Sequence, residues 1–299
     1  MFDDFETKTI GTGETGIFVR TAGSGPPVLL LHGFPETHLM WRNVAPQLAR
    51  EYTVVCADLR GYGQSGAPDS TPDHAPYSKR AMAQDMVYVM QHLGFERFSV
   101  AGHDRGGRVA YRMALDHPEQ VERLAVLDIV PTDAAWQRAD ATFALGFWPW
   151  SLLAQPEPLP ERLLLTAADA FIADAAATWG TSPDAFPPAV REAYVVALQD
   201  AAHAHAICEE YRAAASIDRE HDAADVAAGN RITAPLLALW SANGPLATWY
   251  EAEGGPLALW REFANDVQGR DVEGGHFFPE ERPEETAAAL ASFFAGDEG

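Results

Sequence analysis

The sequence predicts an α/β fold: a mostly parallel sheet flanked by helices, with a helical cap inserted after the strand that ends near Asp128. Three observations lead there. Short continuous apolar runs alternate with stretches of helical spacing, the mark of βαβ units whose strands are covered on both faces. One strand-to-helix junction, Gly102-His103-Asp104-Arg105-Gly106, carries a glycine two residues before and two residues after an aspartate. From about 131 to 230 the strand signal stops. Ala-rich helical stretches and Pro-rich breaks (Pro156, Pro158, Pro160, Pro187, Pro188) fill the interval before one more apolar run.

The elements follow in order. Ile17 to Arg20 reads as a short strand, and Pro27 to Leu31 as a buried strand ending in the turn His32-Gly33-Phe34-Pro35. Trp41 to Arg50 reads as largely helical, Tyr52 to Ala57 as a buried strand, and Arg80 to Leu93 as a helix. Phe98 to Ala101 is a strand, Gly106 to Leu115 a helix, and Leu124 to Leu127 a strand. After the helical block, Pro235 to Trp240 is again a buried strand and Pro283 to Phe294 a closing helix. The expected division is a core domain of 1–130 and 231–299 with a cap domain of 131–230. No internal repeat, low-complexity tract or flexible linker stands out.

The chain has 299 residues and a net charge of −22, from 43 Asp+Glu against 21 Lys+Arg. So negative a surface repels nucleic acid and anionic lipid, and hinders an anionic substrate. Two readings of the acidity stay open: adaptation to high salt, where self-repulsion is screened, and the compositional drift of a GC-rich genome. Cys56 and Cys208 lack metal-ligand spacing and fit the free thiols of a reducing cytoplasm. The first residues are acidic where a signal peptide is basic, and no apolar run approaches the ~18 residues of a membrane span. A cytoplasmic protein without nucleic-acid or membrane partners is expected.

The Asp104 junction has the form of the nucleophile elbow of the α/β-hydrolase fold, with Asp at the nucleophile position. Glycines are needed there because the turn is sharp and side chains would clash. A carboxylate needs no deprotonation at neutral pH, and a helix N-terminus favours its charged form. The bland alternative is a helix cap. The turn after Leu31 would supply an oxyanion-hole N–H from Phe34, beside that of Arg105; alternatively it is an ordinary turn.

His276, in the late loop Gly274-Gly275-His276-Phe277, stands where this fold places its base. No acid follows the strand Pro235 to Trp240 until Glu251, so Asp128, at the end of the preceding strand, is assigned as the carboxylate that orients His276; a turn cap competes. His103 adjoins the nucleophile but points elsewhere and reads as structural. His203 and His205, at i, i+2, diverge on a helix and argue against a metal. Arg105 and Arg108 share a face at the start of the elbow helix, where cations oppose the dipole. A substrate carboxylate gripped by both would offset that cost; so would a salt bridge to an acid such as Glu36.

These segments together resemble the haloacetate (fluoroacetate) dehalogenases: His32 to Pro35, Gly102-His103-Asp104-Arg105-Gly106-Gly107-Arg108, Asp128, Gly275-His276-Phe277, and Cys208-Glu209-Glu210-Tyr211-Arg212 in the cap. The similarity runs almost end to end. The Asp-Arg-Gly-x-Arg form is more specific than the generic elbow, since related haloalkane dehalogenases and epoxide hydrolases usually have Trp where this chain has Arg105. The resemblance implies that Arg105 and Arg108 bind the carboxylate of a 2-haloacetate and that Asp104 displaces the halide. His276, oriented by Asp128, then drives water onto the ester, and the Phe34 and Arg105 N–H groups hold the oxyanion. It implies a homodimer, and neither metal nor organic cofactor.

In that family a His-Trp pair and a Tyr from the cap hold the halide. Tyr211 matches the Tyr and Trp150 the Trp, but the His position is Pro149, which has no donor. Chloroacetate or bromoacetate is therefore expected to be handled better than fluoroacetate. Trp179 resembles a cap aromatic lining the substrate pocket; plain core is its other reading. An epoxide hydrolase using the same Asp104 and His276, with Tyr211 on the epoxide oxygen, is the alternative function, and a non-catalytic binder of a small acid a further one.

Overall fold

The computed structural model describes residues 2–296. Its strands are β1 Glu6–Gly11, β2 Gly16–Ala22, β3 Pro27–Leu31, β4 Thr53–Ala57, β5 Phe98–His103, β6 Val121–Leu127, β7 Leu236–Ser241 and β8 Val267–Val272. They form one eight-stranded sheet in the order β1-β2-β4-β3-β5-β6-β7-β8, antiparallel at β1/β2 and β2/β4 and parallel elsewhere. The helices are α1 Ala45–Leu48, α2 Lys79–His92, α3 Asp104–Asp116, α4 Thr132–Gln137, α5 Ala141–Gly146, α6 Trp148–Leu153, α7 Leu159–Thr178, α8 Pro188–Leu198, α9 Ala201–Ala215, α10 Ile217–Ala228, α11 Gly255–Phe263, α12 Phe278–Glu281 and α13 Pro283–Ala295.

The apolar strands alternate between two cores, as pleating requires. Val28 and Leu30 of β3 join Trp41, Leu290 and Phe293 on one face; Leu29 and Leu31 join Met86, Val109 and Trp260 on the other. Both faces are thus closed, which is why these strands are apolar throughout. α4 to α10 all lie between β6 and β7, and Phe143, Trp150, Leu164 and Ile172 from them continue the second core. Among the described residues, no helix is long and apolar enough to cross a membrane.

Several elements differ from expectation. β1 and β8 escaped the sequence reading: Glu6–Gly11 and Val267–Val272 are edge strands, mostly exposed, and their sequences are accordingly polar. The stretch from Trp41 is a 3-10 turn, His38–Asn43, followed by the single turn α1, rather than one helix. α3 begins at Asp104 itself, two residues before the expected start.

Candidate active site

Parallel pairing brings the site together at the carboxyl ends of the strands. His103 of β5 pairs with Leu127 of β6, so Asp104 and Asp128 each stand one residue beyond the paired ends. Both carry positive φ, +43° at Asp104 and +53° at Asp128. Asp tolerates this region better than most side chains because its short polar group bonds locally. At the elbow, a Cβ on Gly102 would lie 2.3 Å from the Gly106 carbonyl oxygen, and one on Gly106 would lie 2.4 Å from that of His32. Nothing larger than glycine fits where α3 crosses β5 and β3.

Asp104 is 7% exposed, and its Oδ2 accepts a hydrogen bond from Phe34 N–H at 3.0 Å. The side chain is therefore engaged across the turn and does not serve as a cap, and Phe34 lies beside it as expected. Burial works against its ionisation, but His276, Arg105, Arg108 and His103 outweigh that and hold the carboxyl below the usual range. The cause is thus its charged neighbours, beyond the helix end considered from sequence. Arg105 N–H belongs to the first turn of α3, where amides have no intrahelical partner.

His276 is buried, with Nδ1 2.5 Å from Asp128 Oδ2. The other Asp128 oxygen accepts Ser241 N–H at 2.8 Å. With Nδ1 engaged by the Asp128 carboxylate, Nε2 is the ring nitrogen left to exchange a proton. His276 N–H donates to the Trp179 carbonyl at 2.9 Å, and the two rings meet edge to face at 4.9 Å. Trp179 therefore touches His276; its own indole N–H is taken by the Gly146 carbonyl at 2.7 Å.

The two arginines differ. Arg105 Nε donates to Glu210 Oε1 at 2.9 Å, and its guanidinium lies 4.0 Å from the centre of the Tyr211 ring. Glu210 also accepts from Tyr62 at 2.5 Å and lies 2.6 Å from Lys79 Nζ. Burial would raise the Glu210 carboxyl, yet Arg105 and Lys79 hold it down to about 2. The acidic partner considered from sequence was Glu36; the structure corrects this to Glu210, from α9, while Glu36 pairs with His103. The sequence placed Glu210 in the cap segment shared with the family but did not pair it with Arg105, which lies 105 residues away.

Arg108 has no acidic partner among the described residues. Its Nη1 donates to the Val130 carbonyl at 3.0 Å and to Thr132 Oγ1 at 3.1 Å, and its Nε is buried without a partner. Burial and the adjacent Arg105 push its pKa down. Arg105 Nη1 is likewise buried and unpartnered. Trp150 lies against both guanidinium groups, at 4.4 Å from Arg108 and 5.6 Å from Arg105.

Neither the Trp150 indole N–H nor the Tyr211 hydroxyl has a hydrogen-bond partner among the described residues. Burial raises the Tyr211 hydroxyl well above its usual range, so it stays a donor. Pro149 is buried in the first turn of α6, beside Trp150. Of the other histidines, His203 faces the Ser65 carbonyl at 3.2 Å. His205 lies with Glu157 and Glu161, their ligand-type atoms within 4.8 Å of one another, a proximity its spacing from His203 did not suggest. Arg212 is ion-paired to that Glu161.

Residues 26–283 match the family model described as the alpha/beta hydrolase fold. The chain is 43% identical over 296 residues to a fluoroacetate dehalogenase of Burkholderia sp, spanning 99% of this chain and 95% of that protein. It is 33% identical over 291 residues to a soluble epoxide hydrolase of Corynebacterium sp. (strain C12), spanning 92% of each. A solved structure described as an α/β hydrolase of Nostoc sp PCC 7120 superposes with a TM-score of 0.94 at 47% identity, covering 98% of this chain and 99% of that one.

Proposed function

The chain belongs to the haloacetate (fluoroacetate) dehalogenase family of the α/β-hydrolase fold, and from that membership we propose that it hydrolyses 2-haloacetates to glycolate and halide through an ester on Asp104. The observation that carries this reading is a buried carboxylate at the elbow beside Arg108, a buried cation with no acidic partner among the described residues. A buried charge left unpaired is costly. A substrate carboxylate, bonded to the free Nε of Arg108 and the free Nη1 of Arg105, supplies the missing anion.

Phe34 N–H holds Oδ2, so Oδ1 of Asp104 is the attacking oxygen. It bonds to C2 of the substrate as the carbon–halogen bond breaks and halide leaves with the electron pair. Trp150 N–H and the Tyr211 hydroxyl donate to the departing halide. His276 Nε2 then takes a proton from water while the hydroxide adds to the ester carbonyl. Oδ2 becomes the oxyanion, under the N–H groups of Phe34 and Arg105. Collapse breaks the bond from the ester carbon to the glycolate oxygen, His276 protonates that oxygen, and Asp104 sheds the remaining proton to solvent as its carboxylate is restored. Residues 131–230 are read as a cap domain on a core of 1–130 and 231–299, because they supply Trp150, Trp179 and Tyr211. A cytoplasmic setting, supported by the buried thiols Cys56 and Cys208, and a homodimer, resting on the family resemblance, belong to the same reading.

One turnover in heavy-oxygen water tests the chemistry. Label is expected in Asp104 and not in the glycolate released. Labelled glycolate with an unlabelled Asp104 means that water attacks carbon directly, and overturns the reading. For halide preference, Pro149 leaves two donors where fluoride, the halide most dependent on hydrogen bonding, needs more. The kcat/KM for chloroacetate or bromoacetate is expected to exceed that for fluoroacetate, measured by ion-selective electrode. A value for fluoroacetate that is equal or higher contradicts this.

The second reading, epoxide hydrolysis, is favoured by the unpartnered Tyr211 hydroxyl, which could protonate an epoxide oxygen. The arginine pair would then select an epoxide bearing a carboxylate. Turnover of such an epoxide without halide release from any haloacetate decides for it.

A further inference from the structure

His103 lies directly behind the nucleophile and takes no part in the chemistry above. It is fully buried, and both ring nitrogens face acceptors: Nδ1 lies 3.1 Å from Glu36 Oε2 and Nε2 lies 2.8 Å from the His276 carbonyl oxygen. Neutral imidazole has one N–H; two acceptors on opposite sides call for two. His103 is therefore an imidazolium. The groups around it agree. Asp104 follows it in the chain, and Glu36 also influences Glu280, which is bonded to Arg42 of the 3-10 turn and to Tyr194 of α8 at 2.6 Å. Burial lowers the affinity of His103 for its proton, but Glu36 and Asp104 raise it above the usual histidine value.

The His276 carbonyl accepts from His103 and from no other described side chain. The backbone of the base is therefore held at two points, its N–H on Trp179 and its C=O on His103, while Nδ1 rests on Asp128. We propose that His103 is a positioning residue for ester hydrolysis: an imidazolium clamped between Glu36 and the His276 main chain, which fixes the height of the base. This rests on the ester mechanism above. The two chemical steps depend on it unequally. Displacement of halide by Asp104 involves no proton transfer to or from His276. Attack of water on the ester requires the His276 ring in register with Asp128.

Two variants separate the two hydrogen bonds. The amide of His103→Asn occupies the place of Nδ1 and can reach Glu36 but not the carbonyl; that of His103→Gln occupies the place of Nε2 and reaches the carbonyl. With chloroacetate, His103→Asn is expected to release one equivalent of chloride per site at close to the wild-type rate. Steady turnover then falls about tenfold or more, with the Asp104 ester visible by intact mass. His103→Gln is expected to recover most of the steady rate without accumulating ester. The downfield proton of the His276–Asp128 hydrogen bond, read by NMR without substrate, should shift or broaden in the Asn variant and persist in the Gln variant.

Equal slowing of both phases in the Asn variant, no accumulation of ester, or a Gln variant no better than Asn overturns the clamp. A wild-type enzyme that releases no halide overturns the dehalogenase reading instead, and the NMR comparison then decides the clamp alone: an unchanged proton in His103→Asn refutes it.

Discussion

With His276 replaced by Asn, the enzyme is expected to release one equivalent of halide per site and then stop, holding the ester on Asp104. Asn removes the lone pair that accepts the proton of water, and ester hydrolysis loses its base. Knock-out of such a group in other hydrolases costs about 10⁴-fold or more in turnover. The first step survives because the attacking group is already ionised. Burial opposes that ionisation, and of the neighbours that favour it, Arg105, Arg108 and His103 remain after His276 is gone. Rapid-quench halide release is expected to stay within about tenfold of wild type, since no proton moves in that step. Rapid mixing with chloroacetate gives the burst, and peptide mass mapping locates the adduct. A variant that shows no burst, or that turns over steadily, contradicts the assignment of His276 to the second step alone.

Arg108→Met is expected to lower kcat/KM for chloroacetate by about 10² while thermal stability holds or rises. A hydrogen bond between charged groups contributes roughly 1.5–3 kcal/mol, which corresponds to about ten- to hundredfold. Stability need not suffer, because Arg108 is an unpaired buried charge whose removal relieves desolvation. What is lost is its bonds to the Val130 carbonyl and to Thr132 and its attraction to Asp104, while Thr132 keeps Tyr111 at 2.9 Å. Arg105→Met is the contrasting case. It strands Glu210 with Lys79 and Tyr62, and breaking a buried pair costs about 3–5 kcal/mol. Calorimetric melting beside kinetics on both variants checks the contrast. An unchanged KM in Arg108→Met, or a melting loss as large as that of Arg105→Met, would remove Arg108 as the anion site.

The elements that could be read in sequence are those whose surroundings are uniform. β3, β4 and β5 are covered on both faces, so their apolar runs stood out. The elbow could be read because Gly102 and Gly106 are required by contacts within a few residues of chain and one neighbouring strand. Asp128 and His276 followed from where strands end. The polar edges β1 and β8 were invisible because half-exposed strands need few apolar side chains. The pairing of Glu210 with Arg105 was missed for a different reason: an ionic partner on a distant helix leaves no periodic trace. The double role of His103 was hidden too, since it depends on a backbone carbonyl brought in by tertiary packing.

Two of the bonds described above cross from the sheet to the inserted helices: His276 N–H to the Trp179 carbonyl, and Arg105 to Glu210. A displacement of those helices away from the sheet would break both bonds, leaving His276 without its support at Trp179 and the Arg105 guanidinium without Glu210.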